Sequence, residues 1–228
     1  MLKQIIIISD GQSNIGPNPG DMAALALDNS IIVNTIGIID NEEESSIFEL
    51  ENIAESGGGI CELTNINNLS ETLSRVTVKS VYSTVEEMVS QELKEILDLS
   101  IEDINPKERH KFVRLIDKIG NEIDLRCLIL LDISGSMKRK IDIARKSIFE
   151  LLLFLEERMG KSYIGVMVFP FKNNHCKLLC DFTQDIGILR KEIGIVETGG
   201  TTPTGFAIEE AIKIFTKDRE YPIYNNIV

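Results

Sequence analysis

Oxygen-bearing side chains recur in three short segments that follow apolar runs or lie in a glycine-rich loop. Asp132, Ser134 and Ser136 alternate directly after an apolar run. Asp10 closely follows a run of isoleucines, and Thr202 lies in a loop rich in glycine and threonine. Hydroxyl and carboxylate oxygens suit Mg²⁺, which dehydrates reluctantly and keeps some of its waters in protein sites. The residue types therefore predict a magnesium site with room for an oxygen from a partner.

The elements that must position these side chains follow an α/β rhythm in two stretches of the chain. The first stretch predicts strands at residues 5–8, 31–39 and 60–63 and helices at residues 21–27 and 46–54. The second predicts strands at residues 125–131, 163–169 and 177–182 and helices at residues 140–159, 185–196 and 207–215. This alternation predicts an α/β fold with a doubly wound, mostly parallel sheet flanked by helices. Ligands of such sheets bind beyond the carboxyl ends of the strands, and Asp10 and Asp132 follow two predicted strands.

Between the two stretches the pattern turns helical from about Asn68, and residues 83–121 form the helical bridge. Apolar side chains at helical spacing form one stripe, consisting of Val85, Met88, Val89, Leu93, Ile96 and Leu97. A second helix is indicated by Asn105-Pro106-Lys107-Glu108, a typical helix start, and it ends at Gly120. We therefore predict a helical hairpin whose apolar stripe packs either in the chain's own core or against a helix of a partner.

Composition and charge exclude several classes of function. The chain has 228 residues, of which 43% are hydrophobic, enough for one large domain or one domain with a small insert. The net charge of −12 and the lack of basic clusters argue against binding to nucleic acid or to an anionic membrane. The absence of an apolar run of about 18 residues excludes a transmembrane helix. Four widely spaced cysteines favour reduced thiols and a cytoplasmic location.

Two other sequence features resemble binding motifs less closely. His175, Cys176 and Cys180 are spaced somewhat like zinc ligands, but a fourth ligand is missing, so a strand hairpin with incidental thiols is favoured. The glycine run 57–59 lacks the following Lys and Ser/Thr of a phosphate-binding loop, which favours a helix stop. Neither feature is predicted to carry the function.

The oxygen-bearing segments together resemble the metal-ion-dependent adhesion site, or MIDAS, of von Willebrand factor A (VWA) domains. Asp-Ile-Ser-Gly-Ser at residues 132–136 matches the Asp-x-Ser-x-Ser element, and the loop at residues 199–205 resembles the threonine element. The apolar run that ends in Ser-Asp-Gly at residues 9–11 resembles the third, aspartate element. The resemblance implies a Rossmann-like VWA fold that binds Mg²⁺, with Mn²⁺ and Ca²⁺ as alternatives. The implied metal ligands, some of them acting through water, are Asp132, Ser134, Ser136, Thr202 and Asp10.

The order of these elements departs from the family, because the aspartate element comes first instead of last. Moving the N-terminal segment behind residue 228 restores the family's order, which predicts a circularly permuted domain. Residues 1–82 would be its C-terminal half, 83–121 a helical bridge, and 122–228 its N-terminal half. In this respect the chain resembles the small stand-alone VWA proteins of endospore-forming bacteria, of the YabS type. A swapped homodimer, in which residues 1–82 complete a neighbouring chain, is the alternative arrangement.

The resemblance implies a regulatory or adaptor module that binds proteins and is not an enzyme. Its Mg²⁺ would capture an acidic residue of a protein partner, and a protein kinase or phosphatase acting in sporulation is the implied partner. One alternative is a metal-dependent phosphatase or hydrolase, although neither histidine lies in the metal-binding segments. The other alternative is the VWA subunit of an AAA+ ATPase complex.

Overall fold

Strands and helices alternate along the computed structural model, which describes residues 1–39, 44–97, 105–171, 175–194 and 196–217. The strands are β1 (Leu2–Ser9), β2 (Ile32–Ile38), β3 (Gly58–Thr64), β4 (Leu125–Asp132), β5 (Ser162–Phe169) and β6 (Lys177–Thr183). The helices are α1 (Pro19–Asp28), α2 (Glu44–Ser56), α3 (Leu69–Leu97), α4 (Pro106–Glu122), α5 (Ile141–Leu155), α6 (Ile186–Glu192) and α7 (Thr204–Lys217). Residues 226–228, which would adjoin Lys3 in the restored order, lie outside the described residues.

All six strands form one sheet in the order β3-β2-β1-β4-β5-β6. Neighbouring strands are parallel except for β6, which runs antiparallel to β5. The strand order is the 3-2-1-4-5-6 order of Rossmann-like sheets, so the predicted α/β fold with a mostly parallel sheet is confirmed. The two predicted stretches of strands also form a single sheet, because β1 of the first pairs with β4 of the second.

The isoleucines of β1 explain why this strand lies at the centre of the sheet. Successive side chains of a strand point to opposite faces, so Ile5 and Ile7 enter one core and Ile6 and Ile8 the other. Helices α1, α2 and α7 contribute to the first core, whereas α3, α5 and α6 contribute to the second. An uninterrupted apolar run is what a strand covered on both faces requires.

Helix α3 belongs partly to the domain core and partly to the predicted hairpin. It begins at Leu69 and continues without a break past residue 83, where the sequence pattern predicted the hairpin to begin. Leu69, Leu73 and Val76 are fully buried against the sheet, and the later part of the helix lies beside α4. None of the helices among the described residues combines the length and hydrophobicity needed to cross a membrane.

The core that α5 forms with the sheet is expected to dominate the stability of the domain. Leu151 on this helix is 0% exposed, whereas its neighbour Leu153 is 45% exposed. We expect Leu151→Ala to lower the free energy of unfolding by about 2–5 kcal/mol, since it removes buried methyl groups and leaves a cavity. Leu153→Ala, the control, should cost less than about 1 kcal/mol. Urea unfolding measures both values, and equal losses would contradict this packing.

Candidate metal centre

The candidate site lies at the carboxyl ends of the two central strands, β1 and β4. Ile8 pairs with Leu131 in this parallel ladder, so the residues that follow, Ser9 and Asp132, are neighbours. The Ser9 hydroxyl donates a hydrogen bond of 2.6 Å to Oδ2 of Asp132. The chain proceeds from β1 to β2 on one side and from β4 to β5 on the other. This reversal of direction creates the crevice in which open α/β sheets bind their ligands.

A chain of hydrogen bonds joins four of the five predicted metal ligands. The backbone N–H of Ser134 donates to Oδ1 of Asp132 at 2.7 Å. The hydroxyls of Ser134 and Ser136 lie 3.1 Å apart, and the Ser136 hydroxyl donates to Oδ1 of Asp10 at 2.6 Å. Residues that are more than a hundred positions apart in sequence therefore converge on one point of the sheet edge.

Thr202, the fifth predicted ligand, is buried and is held by the loop that follows Asp10. Its backbone N–H donates to Oδ1 of Asn14 at 2.9 Å, and its carbonyl oxygen accepts from the Asn14 N–H at 3.1 Å. The Ser13 hydroxyl also donates to this carbonyl oxygen at 3.1 Å. Thr202 makes no hydrogen bond to the other four predicted ligands within the described part of the chain, so the structure connects it to them through this loop.

The same loop is anchored to α2 and α7. The backbone N–H of Ser13 donates to Oε1 of Glu49 at 2.7 Å. Burial raises the pKa of the Glu49 carboxyl, and the hydrogen bond from Ser13 acts in the opposite direction. Gly205 lies so close to Pro17 that a Cβ at this position would overlap the Pro17 carbonyl oxygen. The glycine after Thr204 thus allows the loop and the start of α7 to meet.

Lys140 is a component of the site that the sequence pattern did not reveal. Its ammonium donates a 2.7 Å hydrogen bond to Oδ2 of Asp10, and the two side chains are 9% and 2% exposed. A buried carboxylate needs such a partner because its desolvation is costly. In the sequence Lys140 looks like an ordinary basic residue at a helix start, and nothing there links it to a carboxylate 130 positions away.

Asp132 is fully buried, and this burial raises its pKa to about 6. Hydrogen bonds from Ser9 and Ser134 oppose the shift, whereas the nearby charge of Asp10 adds to it. The ionised form of Asp132 is therefore held in an unfavourable environment. A cation placed beside this carboxylate would relieve that cost.

The donor set and its spacing fit a hard divalent cation. The group provides carboxylate oxygens from Asp10 and Asp132 and hydroxyl oxygens from Ser134 and Ser136. An octahedral Mg²⁺ with ligands at 2.0–2.1 Å places adjacent oxygens about 2.9 Å apart. The observed hydroxyl–hydroxyl and hydroxyl–carboxylate separations of 3.1 and 2.6 Å lie close to that value.

His175, Cys176 and Cys180, which are spaced somewhat like zinc ligands, have surroundings that do not favour zinc binding. The imidazole of His175 stacks on the ring of Phe206, with centroids 4.4 Å apart and planes inclined by 9°. Burial raises the pKa of the Cys176 and Cys180 thiols to about 11 each, which disfavours the thiolates that zinc requires. Clusters of three or more His, Cys, Asp or Glu side chains suited to a metal are absent from the described residues.

Two uncharacterized proteins are similar to this chain over nearly their whole length. The uncharacterized protein YabS of Bacillus subtilis (strain 168) is 35% identical over 222 residues, covering 96% of this chain and 91% of YabS. The chain belongs to the YabS family. An uncharacterized protein from Alicyclobacillus acidocaldarius subsp. acidocaldarius DSM 446, known from a crystal structure, shares 33% identity with a TM-score of 0.87. That match covers 96% of this chain and 95% of the other.

More distant comparisons add little to the YabS family assignment. The chain matches no protein-family model. The structure of proximal thread matrix protein 1 from the mussel byssus, with a zinc-occupied MIDAS motif, is 14% identical with a TM-score of 0.29. That match covers 87% of this chain and 43% of the mussel protein. At so low a TM-score this likeness carries no argument.

The buried Asp132 carboxylate predicts a conflict between stability and metal binding. Because its folded-state pKa is about 6 rather than 3.8, the metal-free protein should lose stability as pH rises from about 4 to about 6. We expect Asp132→Asn to remove this loss and to raise the free energy of unfolding in EDTA at pH 7 by about 2–3 kcal/mol. The same variant should no longer be stabilised by Mg²⁺.

Urea unfolding between pH 4 and 7, with EDTA or with Mg²⁺, measures both effects of Asp132→Asn. Asp117→Asn serves as the control, because Asp117 is an exposed residue of α4 and its substitution should change neither. An Asp132→Asn variant that is less stable than wild type in EDTA at pH 7 would contradict the electrostatic account.

The double hydrogen bond between Asn14 and Thr202 predicts that Asn14 positions the threonine for metal binding. We expect Asn14→Ala to weaken Mg²⁺ binding by about 10–100-fold, the usual effect of losing a residue that orients a ligand. Isothermal titration calorimetry with Mg²⁺ measures this change. Gln12→Ala, an exposed change in the same loop, should leave the affinity unaltered. Equal affinities for wild type and Asn14→Ala would refute the positioning role.

Proposed function

We propose that this protein is a circularly permuted VWA domain that uses a divalent ion to capture an acidic residue of a protein partner. The observation that carries the proposal is the hydrogen-bond chain that joins Asp132, Ser134, Ser136 and Asp10 at the sheet edge. These residues come from segments with the types and spacing of two MIDAS elements. The third element, which contains Thr202, is bonded to the loop that follows Asp10.

The sheet topology supports the permuted order of the domain. In the proposed division, residues 1–82 hold β1 to β3, residues 122–228 hold β4 to β6, and the helical bridge joins the two. Each half contributes a set of adjacent strands, and the halves meet at the β1–β4 ladder. Exchanging the order of the halves would leave this sheet unchanged and would restore the family's order of metal-binding elements.

The charges around the site explain why a bound ion would attract an acidic group. When bound, Mg²⁺ supplies an electrophilic centre with a position for one more oxygen ligand. Lys140 pairs with Asp10 and compensates its charge, so Asp132 is left as the main anionic contribution to the ion. Ser134 and Ser136 add neutral hydroxyls, and Ser136 is exposed to solvent. A partner's carboxylate would therefore approach from the Ser136 side, balance the remaining positive charge of the ion and fill its open coordination position.

Two exposed cations support an acidic partner further. Lys138 and Arg139 follow Ser136 in a short 3₁₀ turn, and within the described residues neither makes an ion pair. The chain as a whole has a net charge of −12, which would repel an acidic protein at long range. Salt screens such repulsion beyond about 8–10 Å, so these two side chains would attract an acidic group at contact, although Asp142 and Glu197 line the same pocket as Lys138.

The proposed module is a regulatory or adaptor protein without catalytic activity. A hydrolase would need a nucleophile or general base beside the metal, whereas Asp10 is paired with Lys140 and His175 is stacked on Phe206. Within this proposal the partner is a protein kinase or phosphatase acting in sporulation, as the resemblance to stand-alone VWA proteins of endospore-forming bacteria suggests. Within the same proposal the location is cytoplasmic, a prediction that rests on the wide spacing of the four cysteines.

Capture of acidic partners should depend on the metal, on Asp132 and on the two exposed cations. We expect immobilised wild-type protein to retain partners from the source cell's lysate in Mg²⁺, and to release them in EDTA. Asp132→Ala should abolish capture while the circular dichroism spectrum stays unchanged, because it removes a metal ligand. Lys138→Glu combined with Arg139→Glu should reduce capture about tenfold, since like charges would then meet at contact.

Lys146→Glu is the matched charge control, since Lys146 is an exposed residue of α5 whose side chain is 75% exposed and reaches Glu150. This variant should capture partners as wild type does. Undiminished capture in EDTA would overturn the metal-dependent mechanism. Undiminished capture by the Lys138 and Arg139 double variant would overturn only the role of the exposed cations.

A further inference from the structure

The helical hairpin, formed by α3 from Val85 onward and by α4, has an apolar groove along its length. The groove has a volume of about 360 Å³. Residues from both helices form its walls, among them Met88, Val89, Leu93, Phe112, Leu115 and Ile119. These positions recur at intervals of three and four residues, so each helix presents an apolar stripe to the groove, and Glu92 of α3 is the charged residue in the same lining.

This groove is only partly covered by the rest of the described chain. Met88 is 49% exposed, Leu115 is 43% exposed and Ile96 is 72% exposed. On α4, Gly120 is the one buried residue among those whose side chains are described. By contrast, Leu69, Leu73 and Val76 at the start of α3 are fully buried. A contiguous apolar patch of this kind on a charged protein usually marks a binding surface.

The exposed charges of the two helices differ in sign on balance. This part of α3 has Glu86, Glu87, Glu92 and Glu95 against Lys94, whereas α4 has Arg109, Lys111, Arg114 and Lys118 against Asp117 and Glu122. Arg109 and Lys111 already have partners in the chain, and Nζ of Lys118 lies 4.0 Å from Oε1 of Glu122. Two copies of a chain with a net charge of −12 repel each other over most of their surface. The hairpin can overcome this repulsion, because a two-fold axis would place each acidic α3 beside the basic α4 of the other copy.

We propose that the hairpins of two copies pack together as a four-helix bundle and so form a homodimer. A two-helix hairpin leaves one stripe of each helix uncovered, and a second hairpin buries both stripes in the core of a bundle. Such an interface is isologous, since the same surface of each copy contacts its equivalent. In the proposed dimer each chain keeps its own β1–β4 ladder, so no strand is exchanged.

The position of the hairpin leaves the metal sites accessible in this dimer. Arg158 donates hydrogen bonds to the Gly120 carbonyl at 2.7 Å and to the Ser162 hydroxyl at 2.8 Å. Ser162 begins β5, so the base of the hairpin lies at the amino-terminal edge of the sheet, opposite the candidate metal centre. The dimer would therefore present two outward-facing metal sites, which increases avidity for a partner with two acidic segments.

The test of the dimer is sedimentation equilibrium of the full chain at micromolar concentration. Wild type should be dimeric. Leu115→Glu and Met88→Glu should each raise the dimer dissociation constant at least about tenfold, because a charge would then enter an apolar core. Both positions are already partly exposed, so the folded monomer should tolerate the change. Phe48→Glu, at an apolar position of α2 that is 72% exposed, is the matched control and should remain dimeric.

Charge reversal distinguishes this arrangement of helices from other dimers. One variant carries Arg114→Glu and Lys118→Glu in α4, so that both helices are acidic. The other carries Glu92→Lys and Glu95→Lys in α3, so that both helices are basic. Each variant alone should be monomeric, whereas an equimolar mixture should form a heterodimer, because unlike charges then face each other.

A monomeric wild type would overturn the proposal and would assign the groove to a different protein. A dimer that survives Leu115→Glu, or a mixture of reversed variants that stays monomeric, would overturn it as well. These outcomes are independent of the metal-dependent capture described above, since the substituted residues of α3 and α4 belong to the hairpin, whose base lies at the opposite edge of the sheet from Asp10 and Asp132.

Discussion

The parallel ladder between β1 and β4 is the interaction on which both the fold and the candidate site depend. It joins the two halves of the sheet, and its end fixes Ser9 beside Asp132. Because the chain leaves these strands in opposite directions, a crevice forms at this edge, and Asp10 reaches Ser136 and Lys140 across it. Weakening this ladder would therefore separate the two carboxylates and divide the core at the same time.

The two buried carboxylates of the site, Asp10 and Asp132, differ in how their negative charges are compensated. Asp10 is balanced by Lys140, so it adds a charged pair to the interior without a large net field. Asp132 has hydroxyl and backbone donors but no such cation among its hydrogen-bond partners, and its pKa is raised to about 6 as a result of its burial. An aspartate in that position is poorly suited to stabilising a fold and well suited to holding a cation, as is common for functional residues.

Local patterns were sufficient to predict the strands, the helices and the oxygen-bearing residues at strand ends. Asp132, Ser134 and Ser136 lie together because they share one turn, and their role as metal ligands stays a prediction. Local patterns also placed Asp10 at a strand end, although only the pairing of β1 with β4 brings it to Ser136. Asn14 and Lys140 were missed, since a loop asparagine and a basic residue at a helix start have many ordinary roles. The helical pattern from about residue 68 also agrees with the start of α3 at Leu69, whose first turns bury their apolar residues against the sheet.

The central position of β1 has a consequence for folding while the chain is being translated. β1 can pair with β2 early, and β3 can then pair with β2. The other edge of β1 stays unpaired until β4 is made, and β4 follows α3 and α4 in the chain. At about 5–20 residues per second, translation of that interval takes on the order of ten seconds. During this time a strand of consecutive isoleucines has an open edge, the kind of surface on which nascent chains aggregate. That edge therefore stays accessible to other chains until β4 has been made and pairs with it.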